Sequence, residues 1–240
     1  MAESKPISDL SDKEIELLIN RKTILSSNYD TVLALDFPHY CSKATLGCGG
    51  EKGWCYTFGG HQAGPSHAKK VALVDVASKR IPKILVNKIL REIEAATHKK
   101  RLPYPNLRIS GSGEAAFHHL DLIGMINAAG VKTWGFTKNI SIAIAMRKLG
   151  TNILISADKT TPKDLIHQAK KDDFRFAYTS TDHIDYPPEN TLVTFPLHRG
   201  GRVREAVDSP SLCPKVVEEF LSGKRRDAYC QLRCNRCHHG

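Results

Sequence analysis

The hydrophobic positions of this chain fall into short runs that alternate with amphipathic stretches. Runs rich in apolar and branched residues predict six buried strands, over residues 31–37, 106–110, 132–136, 152–156, 174–180 and 191–195. Between the second and fifth strands, apolar positions three and four residues apart predict helices over 116–129, 141–149 and 162–171. Strands and helices that alternate at this spacing indicate right-handed βαβ units and a parallel sheet.

Local signals mark where the helices begin and end. Two further helices are predicted, over 12–25 and 82–97. Ser11 followed by Glu14 is a capping-box pattern, and Pro82 suits a first helical position. Thr161 is predicted to cap the helix over 162–171. Gly130 and Gly150 are predicted to stop the helices over 116–129 and 141–149. The helix over 82–97 has one apolar face, formed by Ile81, Leu85, Ile89, Ile93 and Ala96.

The number of strands narrows the fold class. A closed parallel barrel needs eight strands, whereas this pattern supplies six. We therefore expect an α/β fold in which a six-stranded partial (β/α)6, TIM-like barrel follows an N-terminal helix; a doubly wound sheet is the alternative. The expected domains are a helical extension over 1–30, the barrel over 31–200 and a cysteine-rich tail over 201–240. In either architecture the functional groups lie at the carboxyl ends of the strands.

Three of the seven cysteines share one glycine-rich loop. Cys41, Cys48 and Cys55 follow directly after the first predicted strand, and the glycines among them disfavour a helix. Such a loop can fold back and bring three thiolates onto one metal or cluster. Because a tetrahedral metal or a four-iron cluster takes four ligands, three thiolates leave one position open for chemistry. The alternative is three unmetallated thiols packed as small apolar side chains.

The other four cysteines crowd the C-terminus: Cys213, Cys230, Cys234 and Cys237. Four thiolates complete a closed site, which suits Zn²⁺ or a [4Fe–4S] cluster equally well. The spacing does not choose between zinc and iron. His238 and His239 are spare candidate ligands.

Several polar residues follow the later strands. Gly111, Ser112, Gly113 and Glu114 come directly after the second strand, where small residues would let a ligand lie against the backbone. Lys138 and Asp158 come after the third and fourth strands and are candidate cofactor contacts; the alternative for each is an ordinary cap or turn residue. His61 and His67 flank the cysteine loop, where a ligand role is possible but is not indicated by their spacing, and His118 and His119 could be surface or packed residues.

Composition and charge bear on compartment and partners. The N-terminus is acidic and polar, and the apolar runs are too short to span a bilayer, so we expect a cytoplasmic protein without a membrane partner. In a reducing cytosol, clustered cysteines favour metal over disulfides. The formal net charge is +10, and residues 69–101 carry ten Lys or Arg against three Asp or Glu. That segment is either a surface for nucleic acid or another polyanion, or a solvated helix surface.

Taken together, these elements resemble the radical S-adenosylmethionine enzymes over roughly residues 30–200. In that family a three-cysteine loop after the first strand holds a [4Fe–4S] cluster that chelates S-adenosylmethionine. A Gly-Gly-Glu-like segment after the second strand contacts the cofactor's amino group, and many members bind an auxiliary cluster at C-terminal cysteines. The loop here has C-x6-C-x6-C spacing, whereas the family's usual spacing is C-x3-C-x2-C.

The resemblance implies roles for the residues named above. Cys41, Cys48 and Cys55 would hold the open cluster; Gly111 to Glu114, with Lys138 and Asp158, would contact S-adenosylmethionine; the C-terminal cysteines would hold an auxiliary cluster or zinc. The implied activity is cleavage of S-adenosylmethionine to a 5′-deoxyadenosyl radical that abstracts hydrogen from a substrate, with an electron donor of the flavodoxin or ferredoxin type.

The substrate is not identified by these patterns, although the net charge is compatible with an anionic one such as a nucleotide or nucleic acid. Two alternatives stay open. One is a non-catalytic zinc or iron–sulfur protein that binds nucleic acid. The other is an iron–sulfur enzyme or sensor that does not use S-adenosylmethionine.

Overall fold

The computed structural model describes residues 5–28, 32–38, 41, 64–100, 105–180 and 187–196. These residues form an α/β fold, which confirms the predicted class. The α-helices among them are α1 (Asp12–Arg21), α2 (Pro65–Arg80), α3 (Pro82–Lys100), α4 (Leu120–Ala128), α5 (Ile140–Lys148) and α6 (Lys163–Lys171). The strands are β1 (Ser26–Asn28), β2 (Val32–Leu35), β3 (Asn106–Ile109), β4 (Lys132–Thr137), β5 (Asn152–Asp158), β6 (Phe176–Ser180) and β7 (Thr191–Pro196). Two short 3-10 helices span Ile7–Asp9 and Phe117–His119.

The strands lie in the sheet in the order in which they occur along the chain, from β1 to β7. The pairing of β1 with β2 is antiparallel, and every later pairing is parallel. The six parallel strands, β2 to β7, are the six that the hydrophobic pattern predicts. A doubly wound sheet reverses its strand order at a switch point. No such reversal occurs in the sheet that the described residues form.

Each strand presents alternate side chains to the two faces of the sheet. The first face packs against the helices in the main hydrophobic core. The strands contribute Leu107, Ile109, Ile153 and Ile155 to this core, and the helices contribute Leu85, Ile89, Leu122, Ile126 and Ile142. The second face carries a smaller cluster of Trp134, Leu154, Ala177 and Val193, with Phe136 packed against it. Helix α1 contributes Ile15 and Ile19 to the main core, so it shares that core with the sheet.

Most of the local start and stop signals are confirmed. The Ser11 hydroxyl accepts the N–H of Glu14, and the Glu14 carboxylate accepts the N–H of Ser11, so the capping box forms at α1. Helix α3 begins at Pro82. Gly130 and Gly150 follow α4 and α5 with φ of 82° and 88°, in the left-handed region where glycine is favoured.

Two predicted features are wrong, and in both a contact competes with the helix. The first helix ends at Arg21 rather than residue 25, because the Glu92 carboxylate on α3 accepts the N–H groups of Ile24 and Leu25 at 2.9 Å each. The Thr161 hydroxyl does not cap α6. It accepts the N–H of Asp158 at 2.8 Å and so ties the turn to the end of β5.

Two elements were not predicted. Helix α2 buries residues around much of its circumference, including Val71, Leu73, Asp75 and Ser78, so it lacks a clear amphipathic period. Strand β1 has only three polar residues and is held by pairing with β2. Within the described residues, no helix combines the length and apolarity needed to cross a bilayer.

Candidate functional site

The predicted site residues that the structure describes lie at the carboxyl ends of neighbouring parallel strands. Cys41 follows β2 and is partly exposed; Gly111 to Glu114 follow β3; Lys138 follows β4; Asp158 is the last residue of β5. Because these strands are adjacent and parallel, their ends meet at one edge of the sheet. The predicted cluster ligands Cys48, Cys55, Cys213, Cys230, Cys234 and Cys237 lie outside the described residues.

The Gly111–Glu114 segment lies against the chain that leads to Cys41. The N–H of Gly111 donates to the Leu35 carbonyl at 3.3 Å, and the N–H of Glu114 donates to the Pro38 carbonyl at 3.1 Å. Gly113 has φ of 67°, and a Cβ at this position would collide with the Phe37 carbonyl oxygen. Glycine is therefore required here, because the two backbones approach too closely for any side chain.

Glu114 is a buried carboxylate, with 6% of its surface exposed. Its Oε1 atom accepts the Thr137 hydroxyl, and it also accepts the backbone N–H of Lys138 at 3.2 Å. Both donors are neutral, and among the described residues no Lys, Arg or His forms an ion pair with Glu114. A buried carboxylate without a cationic partner is costly, by several kcal/mol as an order of magnitude. This carboxylate therefore suits a cationic ligand group.

Lys138 and Asp158 form a buried ion pair. The Lys138 Nζ atom lies 2.8 Å from Asp158 Oδ2, and the two side chains are 10% and 1% exposed. The other oxygen, Asp158 Oδ1, accepts the N–H of Thr160 at 2.8 Å and its hydroxyl at 2.6 Å. The structure thus brings both predicted residues to the site edge and pairs them with each other. The pair positions the ends of β4 and β5 relative to one another.

A third charged group at this edge, formed by Asp36 and Lys70, was not predicted. Asp36, directly after β2, is 1% exposed and accepts the N–H of Ser112 at 2.7 Å and the hydroxyl of Ser26. Lys70 of α2 lies 3.5 Å from Asp36 and donates to Ser26. The signal that could have revealed this group is that Asp36 is the one charged residue in the apolar stretch TVLALDF. Its ion pair attaches α2 to the sheet edge.

Ser112, His67 and Asp36 do not form a hydrolytic triad. The His67 Nε2 atom lies 2.9 Å from Ser112 Oγ, which is hydrogen-bond distance. The His67 Nδ1 atom, however, lies 3.9 Å from Asp36 Oδ2, too far for the hydrogen bond that orients the imidazole in a triad. Ser112 is also only 2% exposed. The arrangement instead connects α2 to the Gly111–Glu114 segment.

Asp75 of α2 joins His118 and His119 of the 3-10 helix that follows the Gly111–Glu114 segment. Asp75 Oδ1 lies 2.8 Å from His118 Nε2 and 3.0 Å from His119 Nε2, while Lys79 donates to Oδ2 at 2.8 Å. Burial and, to a smaller extent, the neighbouring His118 lower the pKa of His119 to about 4, against the attraction of Asp75, which raises it. Burial acts to raise the pKa of Asp75, but the hydrogen bonds from Lys79 and His118 outweigh it and the net shift is downward.

These three residues are close enough to share a metal ion, but the tautomer of His119 argues against one. The N–H of Ala116 donates to His119 Nδ1 at 2.9 Å, so the neutral ring carries its proton on Nε2. Metal-binding imidazoles show the opposite pattern, in which the other ring nitrogen donates. His119 is fully buried and stacks on Phe37 with ring centroids 4.0 Å apart. The cluster is therefore best explained as an internal tie between α2 and the 3-10 helix.

Half of the basic residues in the stretch over 69–101 make contacts within the protein. Five of its ten basic residues bind groups of the protein itself: Lys70 to Asp36, Lys79 to Asp75, Arg80 to Asp12, Lys88 to Glu92 and Arg91 to Asn20. These contacts leave a weaker cationic surface than the composition suggested.

No family model matches this chain, and neither a curated protein nor a solved structure matches it. The residues at the sheet edge are therefore the basis on which its function is argued.

Proposed function

We propose that this chain is an iron–sulfur enzyme of the radical S-adenosylmethionine type. The proposal places the open cluster at Cys41, Cys48 and Cys55 and the cofactor's methionine end beside Gly111 to Glu114. What supports it most is Glu114, a buried carboxylate with neutral donors only, at the end of the strand next to the one that leads to Cys41. An ammonium group would supply the cation that this carboxylate lacks.

The barrel belongs to the same proposal. The parallel strands run in sequential order, as they do in a singly wound barrel and not in a doubly wound sheet. The main core covers the first face, while the second face carries its own small apolar cluster. Curvature of β2 to β7 around that second face would enclose this cluster and place the site edge at the mouth of a partial barrel.

The donor set fits the cofactor pair. Thiolate sulfurs are the ligands that iron–sulfur clusters require, and the Gly111–Glu114 backbone offers a surface without large side chains. The chemistry that this pair supplies when bound is one-electron cleavage of a sulfonium and hydrogen-atom abstraction from a substrate. The chain's own contribution is to hold the cofactor's amino group at Glu114, to keep β4 and β5 aligned through Lys138 and Asp158, and to limit the access of water.

Anaerobic reconstitution with iron and sulfide, followed by a cofactor-cleavage assay, tests the proposal. We expect a coloured protein that forms 5′-deoxyadenosine in the presence of a strong reductant, or of a flavodoxin- or ferredoxin-type donor. Cys48→Ala should abolish this product. A colourless protein that retains zinc would favour the nucleic-acid-binding alternative, and iron-loaded protein that never cleaves S-adenosylmethionine would favour an iron–sulfur sensor.

Glu114→Gln tests the carboxylate itself. The amide keeps the size of the side chain and an acceptor for Thr137, but it removes the negative charge. We expect S-adenosylmethionine to bind roughly 10- to 100-fold more weakly, the range for loss of one charge-assisted hydrogen bond, with the iron content unchanged. Glu189→Gln is the matched control, because the Glu189 side chain is 84% exposed and pairs only with Lys170 among the described residues. Equal affinity in the Glu114 and Glu189 variants would contradict the assignment.

A further inference from the structure

Arg108 lies within β3 and extends over two aromatic rings of β4. Its Cζ atom is 5.7 Å from the centroid of Trp134 and 5.1 Å from that of Phe136. The two rings meet edge to face with centroids 5.8 Å apart. Leu107 and Ile109, on either side, belong to the main core on the first face, so strand alternation places Arg108 on the second face.

The charge of Arg108 has no counter-charge in the part of the chain that the structure describes. No carboxylate there lies within ion-pair distance, and the buried Nε atom has no hydrogen-bond acceptor. A guanidinium is always charged and carries five N–H donors in a planar fork that matches carboxylate and phosphate oxygens. Aromatic faces attract the cation, but they do not supply the oxygen acceptors that this fork matches.

Arg147 shows what a structurally satisfied arginine looks like in the same protein. Its Cζ atom lies 4.0 Å from the centroid of Phe174, and its guanidinium donates to the Asp173 carbonyl at 3.3 Å. Arg147 is exposed, so water can reach its remaining donors. Arg108 is partly buried within the sheet and has the rings without the acceptor.

We infer that Arg108, Trp134 and Phe136 form a binding site for the oxyanion group, carboxylate or phosphate, of a small ligand. The guanidinium supplies the charge and paired donors, and the partly exposed Phe136 ring supplies apolar surface for the body of the ligand, while the Trp134 ring, 3% exposed, packs behind the guanidinium. Ala34, the register partner of Arg108 on β2, has a small side chain, so the residue directly opposite Arg108 takes up little space beside it.

The oxyanion site rests on β2, β3 and β4 alone. If the ligand bound at this site is the substrate of the enzyme, that further step rests on the proposed function. Asp158 lies four residues beyond Leu154 within β5, so strand alternation puts the Lys138–Asp158 pair on the second face, the face that carries the oxyanion site. A ligand held by Arg108 would therefore extend toward the edge where the cofactor site is proposed.

Isothermal titration calorimetry on the purified full-length protein tests this inference. The probes are benzoate and inorganic phosphate, with benzamide as the neutral analogue of benzoate. We expect at least one oxyanion to bind while benzamide does not, and the oxyanion that binds identifies the ligand as a carboxylate or a phosphate. Binding should weaken about tenfold or more in Arg108→Gln, and Arg147→Gln should bind as the unmodified protein does.

Arg108→Lys is the second variant, because it keeps a cation in the sheet should the glutamine variant fail to fold. A lysine cannot make the bidentate contact, so we expect binding several-fold weaker than with arginine, as an order of magnitude. Failure of both oxyanions to bind, equal binding of benzamide, or undiminished binding in folded Arg108 variants would overturn the inference. Cofactor cleavage is measured separately, so failure here is distinguishable from failure of the proposed function.

Discussion

The two faces of the sheet differ in how completely their polar groups are satisfied. On the first face, the Thr133 hydroxyl donates to Asn127 at 2.6 Å and lies 2.8 Å from the Thr151 hydroxyl, while the Asn127 amide donates to the Leu149 carbonyl at 2.7 Å. That network closes on itself. On the second face and at its edge, Arg108 and Glu114 carry charges without an opposite charge among the described residues.

This difference separates stability from function. Closed hydrogen-bond networks and the main core stabilise the fold, whereas an unpaired buried charge costs stability and persists where a ligand completes it. Under the two proposals above, the first face is the structural side of the protein and the second is its binding side. Three predictions test that division, in order of expected size.

The largest effect should come from truncation of the main core. Leu107 is fully buried in that core, and Leu107→Ala is expected to lower the free energy of unfolding by about 2–5 kcal/mol. Leu154 is equally well buried, at 2% exposure, but belongs to the small cluster of the second face. Leu154→Ala should lower the free energy of unfolding less, by about 2 kcal/mol, because a smaller cluster relaxes more easily around a cavity. Urea unfolding at one pH measures both, and equal losses would break the comparison.

The second effect should appear on acidification. His119 is neutral in the folded protein because its pKa is lowered from 6.5 to about 4. Its contribution to the free energy of unfolding is therefore fully present above pH 6.5 and is lost as the pH falls toward 4. Between pH 6.5 and pH 5 we expect a loss of about 2 kcal/mol in the free energy of unfolding. The Asp75 pKa is also lowered, so it adds a loss of the same sign below its ordinary value of 3.8.

Variants of two histidines check that assignment. His119→Gln should flatten the dependence of unfolding free energy on pH over this range, whatever its effect at neutral pH. His167 on α6 is exposed, so His167→Gln is the matched control and should keep the full dependence. A pH dependence that survives in the His119 variant would show that another group is responsible.

The smallest effect should distinguish the two arginines. Arg147→Gln removes a cation–π contact and a hydrogen bond to Asp173, and we expect a loss of about 1 kcal/mol. Arg108→Gln removes cation–π contacts but also a desolvated charge, so we expect a stability within ~0.5 kcal/mol of the parent or above it. Thermal unfolding without added anions measures both. A larger loss for Arg108 would mark it as structural and weaken the case for an oxyanion site.

Much of the fold could be predicted because its signals are local. The six parallel strands are runs of apolar and branched residues, and the capping box and Gly130 act within a few residues. Helix α2 escaped prediction because it is buried around much of its circumference and so lacks a polar face. The end of α1 was predicted four residues too late because the Glu92 carboxylate, 68 residues along the chain, accepts the N–H of Ile24.

The candidate site was predictable only in outline. The glycine-rich segment after β3 and the polar ends of β4 and β5 were visible as motifs, and their placement at one edge follows from parallel pairing. Their partners were not visible. Lys138 and Asp158 pair with each other because β4 and β5 are neighbours, and Asp36 binds Lys70 because α2 packs beside β2.

The sequence by itself determined the α/β class, the strand positions, the cysteine groups and the glycine that the close approach at Gly113 requires, because hydrophobic period and backbone permissiveness are properties of short segments. The tertiary structure alone decided which charges are neutralised. Ion pairs join residues far apart in the chain, such as Lys70 and Asp36, and only packing shows that Arg108 and Glu114 stay unpaired within the described residues. Those two charges are where this protein is expected to meet its ligands.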